Sequence, residues 1–328
     1  MEAVVSMEVH KTILDVVGNT PLVRLNKVSQ DLEPTILAKL ENLNPGGSVK
    51  DRIGIAMVEQ AEQRGLLKPG GTIIEPTSGN TGVGLAIVAS VKGYKMIFVM
   101  PDKMSEEKRS ILRAYGAKVV VTPTNVPPES PEHYTKVAER LSRETPHAYM
   151  PNQYENQSNP DAHYRTTGPE IWRQTDGKVD VFVCGMGTGG TITGIGRFLK
   201  EKKKNLKVVG ADPEGSIFYS RYHGHKEEPH QYKVEGIGED FMPGTMDLSI
   251  VDDVIQVSDR DAFRMARRLA REEGILVGGS GGTAVHATVK VAEHLPEDKT
   301  IVTLLPDTGR NYLSKLFSDR WMKEQGFL

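Results

Sequence analysis

Val179-Asp180-Val181-Phe182-Val183-Cys184-Gly185-Met186-Gly187-Thr188-Gly189-Gly190-Thr191 is the stretch that decides the fold. The β-rich run Val179 to Cys184 passes through a glycine-rich turn into the helical pattern of Ile192 to Lys202. A short apolar strand feeding a helix is the unit of a parallel sheet. Glycines let a ligand approach the backbone of such a turn, and the N–H groups of a helix start bind an anion. Gly185, Gly187 and Gly190 also spell G-x-G-x-x-G, and Asp212 ends the next strand at about the distance where a dinucleotide site keeps its ribose acid. The turn therefore reads as a phosphate cradle, and its residues alone leave both a single phosphate and a dinucleotide open.

The alternation continues on both sides. Further β-rich runs are Thr72 to Glu75, Lys95 to Met100, Lys118 to Thr122, Leu206 to Ala211 and Thr300 to Leu305. Between them apolar residues recur three and four apart, as in Ile53, Met57 and Ala61 or Phe263, Ala266, Leu269 and Ala270. An α/β fold with mainly parallel sheets and flanking helices follows. The pattern breaks at Pro123 to Pro131 and at Gly215 to Gly238. The second break carries Tyr219, Tyr222, His223, His225 and His230 and reads as an active-site entrance. Those histidines lack carboxylate or cysteine company, so no metal site is expected.

Composition narrows the function. The chain has 328 residues, 38% hydrophobic and 26% charged, as in an ordinary soluble protein large enough for two domains. A net charge of -2 gives no electrostatic case for nucleic acid or an anionic membrane. No apolar run approaches the roughly 20 residues of a membrane span, and Met1 to Lys11 does not read as a secretory signal. Cys184 is the only cysteine, which excludes an internal disulfide and suits a cytoplasmic enzyme. It reads as a small buried hydrophobe. The expected partner is a small molecule.

Two more turns carry chemistry. In Asn44-Pro45-Gly46-Gly47-Ser48-Val49-Lys50-Asp51-Arg52, Ser48 and Asp51 have capping-box spacing, which places Lys50 in the first turn of a helix. The positive end of the helix dipole disfavours an ammonium there and should lower the pKa of Lys50. The residue is then either a solvent-facing helix start or a nucleophilic amine able to form a Schiff base. In Glu75-Pro76-Thr77-Ser78-Gly79-Asn80-Thr81-Gly82, two hydroxyls, an amide and permissive backbone gather at another helix start, an anion site by the same physics.

A lysine at a helix start, an S-G-N-T-G turn and a G-T-G-G-T cradle together resemble the fold-type II pyridoxal-phosphate enzymes of β-replacement, the cysteine synthase and cystathionine β-synthase family. The resemblance runs from Gly18-Asn19-Thr20-Pro21-Leu22 to the C-terminus. Three segments are more similar to the cystathionine β-synthase branch: Asp212-Pro213-Glu214-Gly215-Ser216, Glu235-Gly236-Ile237-Gly238 with Asp240-Phe241, and Pro306-Asp307 with Arg310-Asn311-Tyr312 and Ser318 to Met322. Cysteine synthases usually have small residues where Glu239 and Asp240 stand.

The resemblance implies a tryptophan synthase β-subunit-like architecture. Residues 44–154 would form the smaller α/β domain and residues 10–43 plus 155–328 the larger, with the cofactor between them. Lys50 would hold pyridoxal 5'-phosphate as a Schiff base and then act as the base at the substrate Cα. Asn80 would bond the cofactor's 3′ oxygen, and Gly187, Thr188, Gly189, Gly190 and Thr191 its phosphate. Ser280, in Gly278-Gly279-Ser280-Gly281-Gly282, would meet the pyridine nitrogen. Thr77, Ser78, Gly79, Thr81 and Gln153 would bind the substrate carboxylate, with Gly236 beside the substrate. The implied reaction joins L-serine and L-homocysteine into L-cystathionine and water, and the same chemistry on cysteine releases hydrogen sulfide.

The resemblance further implies a homodimer. It implies neither a haem domain nor a C-terminal regulatory module, since only 17 residues precede Gly18 and the chain stops just after Trp321-Met322. Other readings are cysteine synthesis from O-acetylserine and sulfide, a nicotinamide oxidoreductase built on the Gly185 turn, and a silent amino-acid sensor on the same fold.

Overall fold

The computed structural model describes residues 9–328 apart from Ser78, Pro128 and Glu227. Ten strands run in chain order: β1 (Leu22–Arg24), β2 (Thr35–Leu40), β3 (Thr72–Pro76), β4 (Lys95–Pro101), β5 (Lys118–Thr122), β6 (Ala148–Tyr149), β7 (Val181–Gly185), β8 (Lys207–Pro213), β9 (Asp253–Val257) and β10 (Thr300–Leu305). They form two sheets, one of order β1-β2-β10-β7-β8-β9 and one of order β5-β4-β3-β6. Every pairing is parallel except β1 with β2. Parallel strands need crossovers, and the helices between them cover the faces. That is why Phe182, Val183, Val302 and Leu305 can all be apolar and fully buried along adjacent strands.

Four helices matter for the site: Lys50–Gln63, Asn80–Lys92, Gly190–Lys202 and Gly279–Ala292. Ile53, Met57 and Ala61 form the buried stripe of the first, as their spacing predicts. This helix crosses the Asn80 helix closely enough that a Cβ on Gly54 would lie 2.6 Å from the carbonyl of Gly84. Only glycine permits that approach, and it brings the turns holding Lys50 and Asn80 together.

A buried ionic cluster fixes the start of the Lys50 helix. Arg52 donates to Glu41 at 2.7 and 2.8 Å and to both oxygens of Glu170 at 2.8 Å. Lys39, within β2, donates to Glu170 at 2.7 Å and to the Thr20 carbonyl at 2.6 Å. The two cations and two carboxylates balance, and further hydrogen bonds satisfy them, as buried charges require. Burial pushes the Glu170 carboxyl up, but Arg52 and Lys39 outweigh it and hold the pKa at about 2.

Several expectations need correction. Lys118 to Thr122 and Thr300 to Leu305 match β5 and β10 end for end, but β7 starts two residues later than its apolar run and β8 extends to Pro213. β1, β2, β6 and β9 leave no clear signal in the sequence, because β1 and β6 are very short and Lys39 and Gln256 interrupt the apolar pattern of the others. The Ser48–Asp51 capping box does not form. Val49 is the N-cap, and Asp51 instead accepts from the Gly46 N–H at 2.5 Å. Tyr219, Tyr222 and His223 sit on a helix, Phe218–His223, that opens the second break.

Candidate active site

A cleft of about 920 Å³ opens at the carboxyl ends of β3, β4, β7 and β10, where loops of parallel sheets collect ligands. Lys50 lies on its wall as the first residue of its helix. The Lys50 N–H donates to the Ser48 hydroxyl at 3.2 Å and the Val49 N–H to the Pro306 carbonyl at 2.8 Å, which ties the lysine to the end of β10. Burial lowers the pKa of the amine, against the opposing pull of Glu239 and Asp307. The direction agrees with the sequence reading, but desolvation rather than the helix dipole is the leading cause.

Thr77, Asn80, Thr81 and Gln153 share the cleft wall with Lys50. The Thr77 hydroxyl accepts from the N–H groups of Gly79 and Gly82, both at 3.2 Å, and so shapes the turn. Thr81 donates to the Gln153 side chain at 2.7 Å. Gln153 is placed by Glu75, whose two oxygens accept from the Asn152 and Gln153 N–H groups at 2.9 and 3.1 Å. Asn80 donates to Asp307 at 2.8 Å, and Tyr312 donates to the same oxygen at 2.7 Å. Gly79 adjoins the wall without lining it, and Ser78 lies outside the described residues.

Gly187, Thr188, Gly189 and Thr191 line the opposite side. A Cβ on Gly187 would stand 2.9 Å from the Gly236 carbonyl, and Gly189 adopts φ +87, a conformation that favours glycine. Thr188 accepts from Asn159 at 3.0 Å, and Thr191 meets His163 at 3.3 Å across a π-helical turn. Gly190 is not on the wall. It begins the helix and packs against Asn159, whose side chain would overlap any Cβ placed there. A helix leaves its first N–H groups without internal partners, and here they are flanked by two hydroxyls and bare backbone. That donor set fits a phosphate. Ser280, buried one residue into its helix, and Gly236, at φ +86, complete the predicted wall.

The dinucleotide reading fails at Asp212. That residue is fully buried, and its carboxylate accepts from the Tyr219 N–H at 2.9 Å instead of facing a ribose. Among the described residues no group of three or more His, Cys, Asp or Glu could hold a metal ion. Cys184 is buried beside the cradle, and burial pushes its thiol up to about 12, so it stays protonated. His230, from the long loop, lines the cleft, as the entrance reading expects.

Sequence reasoning gave no role to Glu75, Lys108, Tyr154, Glu235, Glu239 or Asp307, all of which line the cleft. Glu235 bridges two cations at the rim, Lys108 at 2.5 Å and Lys315. Burial pushes the Glu75 and Glu239 carboxyls up to about 7. In the sequence the Glu235 to Asp240 segment and Pro306-Asp307 serve only as marks of resemblance, and the three acids between Glu235 and Asp240 are the available signal.

Comparison with known proteins defines the class. Residues 13–307 match the family described as "Pyridoxal-phosphate dependent enzyme". The chain belongs to this family, and its cofactor is pyridoxal phosphate. Within the family it is similar to cystathionine β-synthase of Oryctolagus cuniculus, with 53% identity over 318 residues, covering 96% of this chain and 58% of that one. The chain thus spans about three fifths of that relative. It is also similar to cysteine synthase of Staphylococcus aureus, with 47% identity over 304 residues, covering 92% of this chain and 95% of the relative. The solved O-acetylserine dependent cystathionine β-synthase of Helicobacter pylori superimposes with TM-score 0.86 at 40% identity, covering 94% of this chain and 99% of that one.

Proposed function

We propose that this chain catalyses β-replacement, condensing L-serine with L-homocysteine to give L-cystathionine and water. The observation that carries the reading is the meeting of Lys50 with Thr77, Asn80 and Thr81 of one turn and Gly187, Thr188, Gly189 and Thr191 of the cradle on one cleft. Pyridoxal phosphate, when bound, supplies the electron sink that makes the substrate Cα–H acidic. The chain's own residues supply the rest. Lys50, its pKa lowered by burial, holds the cofactor and takes the Cα proton. Gly187, Thr188, Gly189, Gly190 and Thr191 hold the phosphate, Asn80 the 3′ oxygen and Ser280 the ring nitrogen. Thr77, Ser78, Gly79, Thr81 and Gln153 fix the substrate carboxylate, which sets the Cα bond that breaks, and Gly236 borders the amino acid.

The cationic rim favours homocysteine over sulfide as the second substrate. Lys108 and Lys315 share the single carboxylate of Glu235, so this group alone carries one positive charge in excess, which supports a thiol that brings its own carboxylate. The cysteine synthase reading, O-acetylserine plus sulfide to cysteine, is the alternative, supported by the likeness to the Staphylococcus enzyme and to an O-acetylserine dependent relative. Purified holoenzyme given serine with homocysteine, and separately O-acetylserine with sulfide, decides between them by mass spectrometry of the products. Cystathionine from the first pair supports the proposal, and turnover of the second pair alone overturns it.

We also propose that residues 44–154 form a smaller domain that moves as one unit, because β3 to β6 all fall within it. A homodimer in the cytoplasm fits the exposed apolar residues Ile13, Val16 and Val91 and the absence, among the described residues, of a helix long and apolar enough to cross a membrane. Sedimentation at micromolar concentration tests the dimer, and a monomer there contradicts it.

A further inference from the structure

Hydroxide is a poor leaving group, so serine needs a proton delivered to its β-oxygen as the Cβ–O bond breaks. Lys50 is already engaged at Cα, and a second acid lines the same cleft. Glu239 lines the same cavity, close enough to Lys50 for the two charges to attract. Its backbone is pinned from both directions. The Glu239 N–H donates to the Ser216 hydroxyl at 3.1 Å, and its carbonyl accepts from the Ile217 N–H at 3.0 Å. Just before it, the Gly238 N–H donates to the Met186 carbonyl at 2.6 Å. Gly238 itself adopts φ +77, with Pro213 and Tyr232 occupying the space a Cβ would need. This loop therefore holds the carboxyl over the cleft beside the cradle turn.

We propose that Glu239 is a catalytic residue that protonates the departing β-hydroxyl of serine and then takes the proton of the incoming thiol. The proposal rests on the β-replacement reading. Lys50 takes the Cα proton, and the Cα–H pair becomes the second Cα–Cβ bond. The Cβ–O pair leaves with oxygen, which collects the Glu239 proton and departs as water. The thiol then gives its proton to the Glu239 carboxylate while sulfur bonds to Cβ, and Lys50 returns its proton to Cα. The cycle closes with both groups as they began.

An acid serving this role must be protonated near neutral pH. Burial pushes Glu239 up to about 7; the nearby Tyr154 hydroxyl and the Lys50 charge oppose the rise, and Asp240 adds to it. Tyr134 and Tyr232, from the other packed segments, also feel its charge. All three tyrosines are themselves held up by burial and stay neutral, so Lys50 and Asp240 are the charges that face the group.

The test compares holoenzyme and Glu239→Gln on serine and on O-acetylserine, whose acetate leaves without a proton. The variant is expected to lose about 10²-fold in kcat on serine, the low end for a general acid, and about tenfold less than that on the ester. The fall of wild-type kcat on serine above about pH 7 is expected to vanish in the variant. Independently of turnover, the infrared difference between wild type and variant should show a protonated carboxyl band that titrates away near pH 7. Equal losses on both substrates, or no such band, overturn the proposal. A wild type that ignores serine but consumes the ester instead overturns the serine reading on which the proposal stands.

Discussion

Asn80 and Asp307, 227 residues apart, meet through a 2.8 Å hydrogen bond from the Asn80 amide to one carboxylate oxygen. Asn80 starts the helix that follows β3, and Asp307 follows β10, so this bond ties the site turns of the two sheets to each other. The same Asp307 oxygen receives the Tyr312 hydroxyl, while its other oxygen is buried with no partner among the described residues. Asp307 thus fixes which end of the Asn80 amide points into the cleft.

Asp307→Ala should therefore weaken pyridoxal phosphate binding by about 10- to 100-fold, the worth of a charge-assisted hydrogen bond. Fluorescence titration of the apo-protein reads the affinity. Asn80→Ala added to Asp307→Ala should cost less than the sum of the single changes. Full additivity would show that Asp307 does not act through Asn80.

The Arg52 cluster supports the start of the Lys50 helix. Arg52 is 5% exposed and Glu41 is fully buried, so solvent does not screen the pair. Glu170→Ala leaves Arg52 and Lys39 short of a counter-charge and should cost about 3–5 kcal/mol, as breaking a buried pair does. Urea unfolding measures it. A loss below about 1 kcal/mol would mean that the cluster is not a structural support.

Much of this arrangement was legible in the sequence, for separable reasons. The strand β10, and β5 after Lys118, are unbroken β-branched and apolar runs, and the Lys50 helix carries a clean apolar stripe, so periodicity located them. The glycine cradle and the Lys50 and Asn80 turns were visible because close backbone approach and helix starts demand particular residue types. Asp307, Glu75 and Glu239 could not be placed in the same way. Asp307 and Glu239 stand in loops, which have no period, and Glu75 ends a strand run that says nothing of its role; each depends on groups such as Asn80, Gln153 and Tyr154 that are distant in the chain. The apparent capping box failed because Asp51, at the right spacing, found the Gly46 N–H instead.

Asp51 gives a pH signature. It is 1% exposed, and burial raises its pKa from 3.8 to about 7. Through that window the folded chain keeps a proton that the unfolded chain has released, so stability falls as pH rises from about 4 to about 7 and levels off above. Asp51→Asn keeps an acceptor for Gly46 and should flatten the fall by about one proton, about 1.4 kcal/mol per pH unit. Urea midpoints between pH 4 and 8 test this, and an unchanged slope would show that Asp51 is ionised when folded.

We propose Lys50, half-buried at its helix start, as the one lysine that bonds the cofactor covalently. The direct measurement is to reconstitute the protein with pyridoxal phosphate, reduce it with borohydride and map the modified peptide by mass spectrometry. The account predicts one pyridoxyl group, on Lys50, and none in Lys50→Ala. A stable label on Lys108 or Lys315, or no label on a protein that binds the cofactor, would contradict it.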